Sequence, residues 1–381
     1  MNRVEIRPEM LRWARERAGY AIGDLAKRFP RLEEWEDGDV HPTLKQLESY
    51  ARATHTPVGY LFLQTPPVER VPIPDLRTVG LARGARPSPD LLDTIYICQQ
   101  RQEWYREFAR STRVGPLPFV GSAQLTSDIR STAVSIRETL GFDLDKQRRA
   151  PTWTDALREF ITHADYAGLL VMCSGVVLNN NRRRLDPEEF RGFAMADDLA
   201  PLVFINGADS KAAQMFTLAH ELAHIWLGQS ALSNVQAMSA PDQEVERWCN
   251  RVAAEVLVPM AALRREYELR ASVEETTQRL ARYFKVSSLV ILRRLHDAEI
   301  LSHDEASQAY ADELERFQGL PKSSGGSFYL TQAARVSKRF ARALVMSTLE
   351  GQTLHRDAFR LLGFSKLATF RQLGRNLGVG A

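Results

Sequence analysis

The sequence predicts a mostly helical α+β fold with a small sheet confined to the middle of the chain. Three observations lead there. Apolar residues recur at helical spacing over most of the 381 residues. Apolar runs rich in β-branched or aromatic residues, bounded by Gly, Asn, Asp and Pro, cluster within 151–206 and read as strands. A strongly apolar helix over 212–227 follows them. Hydrophobic content of 44% with 25% charged residues suits a chain that buries a core. The longest apolar stretches, such as 60–63 and 169–173, are far too short to span a bilayer. The opening MNRVEIRPEM carries charge where an export signal needs an apolar stretch. Cys98, Cys173 and Cys249 form no C-x-x-C pair, which points to a reducing compartment and away from a cysteine-built metal site. The expectation is a cytoplasmic protein with no membrane partner.

Taken in order, 8–18, 22–27, 31–36, 44–54 and 58–63 read as short helices. Pro66-Pro67 and the stretch 71–74 mark a linker. Residues 88–110 and 127–140 read as amphipathic helices, with Trp104, Tyr105 and Phe108 facing inward. A helix over 153–165 leads to strands at 168–172, 190–195 and 202–206. Helices at 212–227 and 244–256 follow, and helical character continues to about 315. A Pro-Lys-Ser-Ser-Gly-Gly break at 321–326 precedes a final basic helical region. The predicted domains are 1–66, a connector at 67–150, a core at 151–265, a helical module at 266–318 and a basic extension at 319–381. Charge is uneven: ten Lys/Arg balance ten Asp/Glu in 1–65, whereas 332–381 hold nine against two. An electrostatic partner should therefore prefer the C-terminal end.

The helix over 212–227 carries H-E-x-x-H as His220-Glu221-Leu222-Ala223-His224. Residues i and i+4 project from one helix face, so two imidazole nitrogens can meet on one zinc ion. Glu221 sits beside that metal and can take a proton from water. Phe216, Leu218, Ala219, Leu222, Ala223 and Ile225 make the helix almost wholly apolar, and burying two histidines and a glutamate there is unfavourable without a compensating ligand. Zinc hydrolases use a third protein ligand and leave the fourth position to water. The next helix offers Glu246, which shares a face with Asn250, while Ala253 and Ala254 permit close approach. Glu246 is the chosen third ligand; Asn250 and Glu255 are candidate supporting groups behind it. Cys249 reads as a small buried side chain at a tight helix contact. For an oxyanion donor, Tyr267 and His296 both stay open.

FTLAHELAHIWLG followed by EVERWCNRVAAEVLVP resembles the ImmA/IrrE family of bacterial metallopeptidases, and FRGFAMADDLAPLVFIN upstream is similar to that family's strand pair. The likeness covers about 150–300. It implies a zincin-like core with His220, His224 and Glu246 as zinc ligands and Glu221 as general base. It also implies a helix-turn-helix repressor as substrate, and a peptide lying extended along 202–206 as an edge strand.

Leu25-Ala26, Trp35-Glu36-Asp37-Gly38 and Pro42-Thr43-Leu44-Lys45-Gln46-Leu47 resemble the N-terminal helix-turn-helix bundle of XRE-type repressors, about four residues short of the usual spacing. Glu33, Glu34, Glu36 and Asp37 fall where the reading helix should be, and phosphate neutralisation needs the opposite charge. Protein contact or dimerisation competes with DNA reading there. A second helix-turn-helix-like run over 280–295 carries Arg282, Lys285, Arg293 and Arg294, with Ser287 as a cap. In 330–349, Arg335, Lys338, Arg339 and Arg342 form one cationic stripe opposite Val336, Phe340 and Leu344. Such a stripe is usually a solvated face, but it also suits nucleic acid or an acidic protein. The segment 328–374 resembles the C-terminal extension of long helix-turn-helix/peptidase fusions, some encoded beside PIN-nuclease-like toxins.

The expected protein is a zinc-dependent endopeptidase and regulator acting on a repressor or toxin-like partner. DNA and a second copy of the chain are further candidate partners. The competing reading is a DNA-binding antitoxin or transcription regulator whose core is structural or sensory. An intact Glu221 favours the enzyme.

Overall fold

The structure, a computed structural model, describes residues 3–76, 87–233, 243–268, 271–318 and 333–379. The break expected at 321–326 lies outside them. The chain divides into two compact units, Met1–Pro72 with Gly84–Ile95, and Ile73–Arg83 with Tyr96–Ala381.

The first unit holds α1 (Pro8–Arg17), α2 (Ile22–Ala26), α3 (Leu32–Asp37), α4 (Leu44–Ala53) and a 3-10 turn at Val58–Phe62 where a helix was expected. Pro8 starts α1 at a position whose N–H would be unpaired anyway. A Thr43/Gln46 capping box starts α4. Met10, Leu11, Phe29, Trp35, Leu47 and Tyr50 form the core, and the Tyr50 hydroxyl donates to the Leu11 carbonyl at 2.8 Å. Helix α3 has only six residues and stops at Gly38 with φ +85°. Glu36, expected on an exposed reading face, is buried instead, accepting from Arg15 Nε at 2.8 Å and Nη2 at 2.9 Å. The paired guanidinium is what makes that burial tolerable.

In the second unit, α5 (Pro89–Ser111) continues from residue 96 and is followed by α6 (Ile129–Leu140), α7 (Leu144–Arg149) and α8 (Trp153–Ala167). Asp128, Asp143 and Thr152 cap the last three. Strands β1 (Leu170–Ser174), β2 (Gly192–Met195), β3 (Leu202–Asn206) and β4 (Ala231–Ser233) form one sheet ordered β1-β3-β2-β4. The first strand starts two residues later than expected because Gly168, at φ +115°, closes α8 and the Leu169 N–H still bonds the Ala164 carbonyl. β3 is parallel to β1 and antiparallel to β2. It is therefore interior, which corrects its expected place as an edge; β4, the outer strand beside β2, was not foreseen.

One face of the sheet packs Val171, Ala194, Val203 and Ile205 against α9 (Lys211–Leu227), which sits on α10 (Glu244–Leu257). The other face carries the stacked pair Phe193–Phe204, 4.9 Å between centroids. Cys98 and Arg101 of α5 reach Met172 there. Helices α11 (Met260–Glu266), α12 (Val273–Phe284), α13 (Ser288–Asp297) and α14 (His303–Gln318) extend the α9 layer. Helix α15 (Lys338–Leu349) touches β1 and α8, and α16 (His355–Leu362) and α17 (Leu367–Asn376) pack on α15 or near it. No helix among the described residues is long and apolar enough to cross a membrane.

Asp165, near the end of α8, is buried and accepts from the Ser337 hydroxyl at 2.7 Å, while its second oxygen has no hydrogen-bond partner among the described residues. Burial pushes its carboxyl up to about 6, against the Ser337 hydrogen bond, which pulls down. A folded-state value above the unfolded one means the contribution is intact below about pH 4 and lost as pH rises through 6, about 3 kcal/mol in all. Asp165→Asn should therefore stabilise the chain at pH 7.5 by roughly 1–3 kcal/mol, with the gap closing toward pH 4. Thermal or urea unfolding at both pH values measures this; a pH-independent difference would contradict it.

Candidate metal centre

Helix α9 is fixed at both ends. Ser210 accepts from the Ala213 N–H, and Gly228, at φ +67°, turns the chain into β4. Between them His220, Glu221 and His224 are fully buried; the two histidines meet Glu246 of α10, whereas Glu221 lies against β2 at Gly192. The His220 Nδ1 meets Asn250 Oδ1 at 3.0 Å. With that oxygen as acceptor, the ring carries its proton on Nδ1 and turns the Nε2 lone pair inward. His220 Nε2 and His224 Nε2 lie 3.1 Å apart. The Glu246 carboxylate closes the triangle, 3.1 Å from His224 Nε2 and 3.4 Å from His220 Nε2.

Three atoms bound tetrahedrally at about 2.0–2.1 Å would stand roughly 3.3 Å apart, so the triangle has the dimensions of a zinc-type donor set. Lone pairs and a carboxylate facing one another in a dry interior repel unless a cation joins them. This is the metal-ligand cluster found among the described residues, all three members buried. The chemistry of the donor set fits a borderline divalent ion.

Burial raises the Glu246 carboxyl, but positive charge and N–H donation on the imidazole side, which a bound cation would replace, more than offset it and hold it down at about 2. Burial lowers His224, against its hydrogen bond to Glu246. Both therefore stay in the forms that bind metal. Glu221 stands apart. Neither of its oxygens has a hydrogen-bond partner among the described residues, and burial, then the nearby Glu246 charge, lifts its carboxyl well above the usual range. The Ser233 hydroxyl works in the opposite direction without reaching hydrogen-bond geometry.

Two residues of this site escaped the sequence. Ser233 ends β4, and its register partner Gly192 lies under α9. A Cβ at Gly192 would stand 2.5 Å from Thr217 Cγ2, 2.9 Å from the Phe204 carbonyl and 3.1 Å from Glu221 Oε1. Only glycine lets α9 approach β2 this closely. A glycine inside a strand run was the available signal.

Several candidates lie elsewhere. Glu255 is no support for the triad: it is buried against Arg294 and accepts from the Met260 N–H at 3.2 Å. Arg294, expected as a nucleic-acid or partner contact, is that buried partner and also donates to the Val258 carbonyl at 3.0 Å. Arg293 pairs with Asp297 at 2.9 Å, and Lys285 is the half-buried αL cap of α12. Arg282 is exposed. The expected cationic stripe is split. Lys338 and Arg342 are exposed, but Arg335 bonds Asn179 and Arg339 bonds the Tyr105 hydroxyl and the Asp165 carbonyl. The His296 Nδ1 meets the Leu301 carbonyl at 3.2 Å, and Tyr267 packs against the core. Burial, then the charges of Glu246 and Glu221, keep the Cys249 thiol protonated.

The fold and triad define a metallopeptidase-type centre carried on two packed helices. Residues 164–296, which include the whole triad, match the IrrE N-terminal-like domain of the Peptidase_M78 family. Residues 336–376 match a domain of unknown function, DUF8813. A search of curated proteins finds no match.

Purified chain should hold one divalent ion, lost in His220→Ala and Glu246→Ala but kept in Glu221→Gln. Elemental analysis reads this directly, and chelation should lower the melting temperature of the wild type and of Glu221→Gln but not of His220→Ala or Glu246→Ala. Gly192→Ala should destabilise by about 1–3 kcal/mol through overpacking, seen as a lower Tm. An unchanged Tm would mean α9 and β2 can part without penalty.

Proposed function

We propose that this protein is a zinc-dependent endopeptidase and regulator that cleaves a helix-turn-helix repressor or a toxin-like partner protein. The observation that carries the reading is the buried His220–His224–Glu246 triangle with Glu221 beside it, whose oxygens have no hydrogen-bond partner among the described residues. A structural metal site has no use for that fourth side chain, because an unpaired buried carboxylate is destabilising and here does nothing for coordination. Zinc bound to the triangle would supply Lewis acidity toward a scissile carbonyl and acidify water.

The chain's own groups do the rest. Asn250 fixes the His220 ring, and Glu246 supplies the anionic ligand. Glu221 takes the proton of the attacking water and delivers it to the leaving amine; its raised proton affinity suits it to the second step. The sheet edge nearest Glu221 is β4, through Ser233, so an extended peptide is expected along β4 and not along β3. For a nucleic-acid or acidic partner, the solvent-facing cations Arg282, Lys338 and Arg342 are the better candidates.

Glu221→Gln should reduce cleavage by roughly 100-fold or more while zinc stays bound. The assay is co-incubation with the proteins encoded by the genes on either side of this chain's own, followed on a gel. Cleavage at wild-type rate by the zinc-loaded variant would refute the mechanism.

A further inference from the structure

The outer edge of β4 is already occupied by this same chain. Leu232 points its N–H and C=O away from β2. The N–H donates to the Pro74 carbonyl at 2.9 Å, and the C=O accepts from the Leu76 N–H at 3.0 Å. The two segments run parallel, with Asp75 opposite Leu232. One residue further along β4 is Ser233, beside Glu221. The strap at 74–76 thus lies on the stretch of edge that passes the proposed catalytic carboxylate.

The strap is weak by construction. In a parallel ladder the next bond toward its N-terminus would run from the residue 74 N–H to the carbonyl of residue 230. Proline occupies 74 and has no N–H, so the ladder stops there. Pro74 and Asp75 are exposed, and Ile73 and Leu76 are only half-buried. A longer strand pairing with the same edge would form more hydrogen bonds than this one. The strap nevertheless has the advantage of its tether, which keeps its local concentration high.

We propose that residues 73–76 are a resident, exchangeable competitor for the peptide-docking edge of β4, holding the site self-occluded until a longer extended segment displaces them. The proposal rests on the endopeptidase reading for its biological sense, but the exchange itself does not need catalysis.

Native-state hydrogen exchange on the full-length, zinc-loaded chain reads the strap directly. The Leu232 and Leu76 amides should exchange through a local opening, at least about tenfold faster than the β3 amides. Exchange of both only with global unfolding would make the strap a permanent strand and overturn the proposal. Leu76→Pro deletes one bond and should speed exchange at Leu232. With fluorescein-labelled casein as the probe, it should lower KM by roughly tenfold at unchanged kcat, since only the competent fraction changes. Pro74→Ala restores a donor and should move KM the other way. Unchanged KM in an active Leu76→Pro variant would also overturn the proposal. If no form cleaves casein yet the exchange results hold, the exchangeable strap stands, and the endopeptidase reading is decided by the co-incubation assay alone.

Discussion

The organising constraint of the second unit is a triangle of two imidazole nitrogens and a carboxylate, held 3.1 to 3.4 Å apart in a dry interior. Groups so disposed repel without a cation, and the surroundings must hold them rigidly enough to be ready for one. The rigidity comes from apolar packing. Helix α9 is buried along most of its length, lies on α10, and is backed by a sheet whose facing residues are small or aliphatic. Where α9 comes closest to β2 the side chain is reduced to hydrogen, at Gly192. Polar placement and apolar packing are therefore one problem solved by the same two helices.

Electrostatics separates the roles of the two acidic residues. Glu246 faces two imidazoles and stays ionised; Glu221, on the neighbouring helix, has no hydrogen-bond partner among the described residues and holds its proton more tightly. Environment, not residue type, sets the two carboxyl groups apart.

How much of this was legible depended on distance along the chain. His220, Glu221 and His224 sit within one helical repeat, so their shared face follows from spacing alone. Glu246 and Asn250 could be placed on a common face of the next helix for the same reason. Strand order is different in kind. Nothing local in 202–206 says whether a neighbour pairs on one side or both, and β4, three residues long, is too short for any periodicity to register. Charge misled in a related way. Arg294 and Arg335 look like surface cations until Glu255 and Asn179, 39 and 156 residues away, are seen to engage them. Glu36 reads as an exposed acid for want of knowing that Arg15 folds over it.

The fastening of the last helices alters what counts as a domain. The far side of the sheet is covered by α5 and α15, and their contacts are specific: Arg101 to the Leu361 carbonyl, Asn179 to the Gly363 carbonyl, Arg339 to Tyr105. Two family segments that look separable in sequence, 164–296 and 336–376, share one folded body. A recombination joint between them would strip the lining from Met172 and leave the guanidinium of Arg101 without its carbonyl acceptor. In evolutionary terms the tail is structural masonry for the centre it follows, and the two segments should be inherited as a pair.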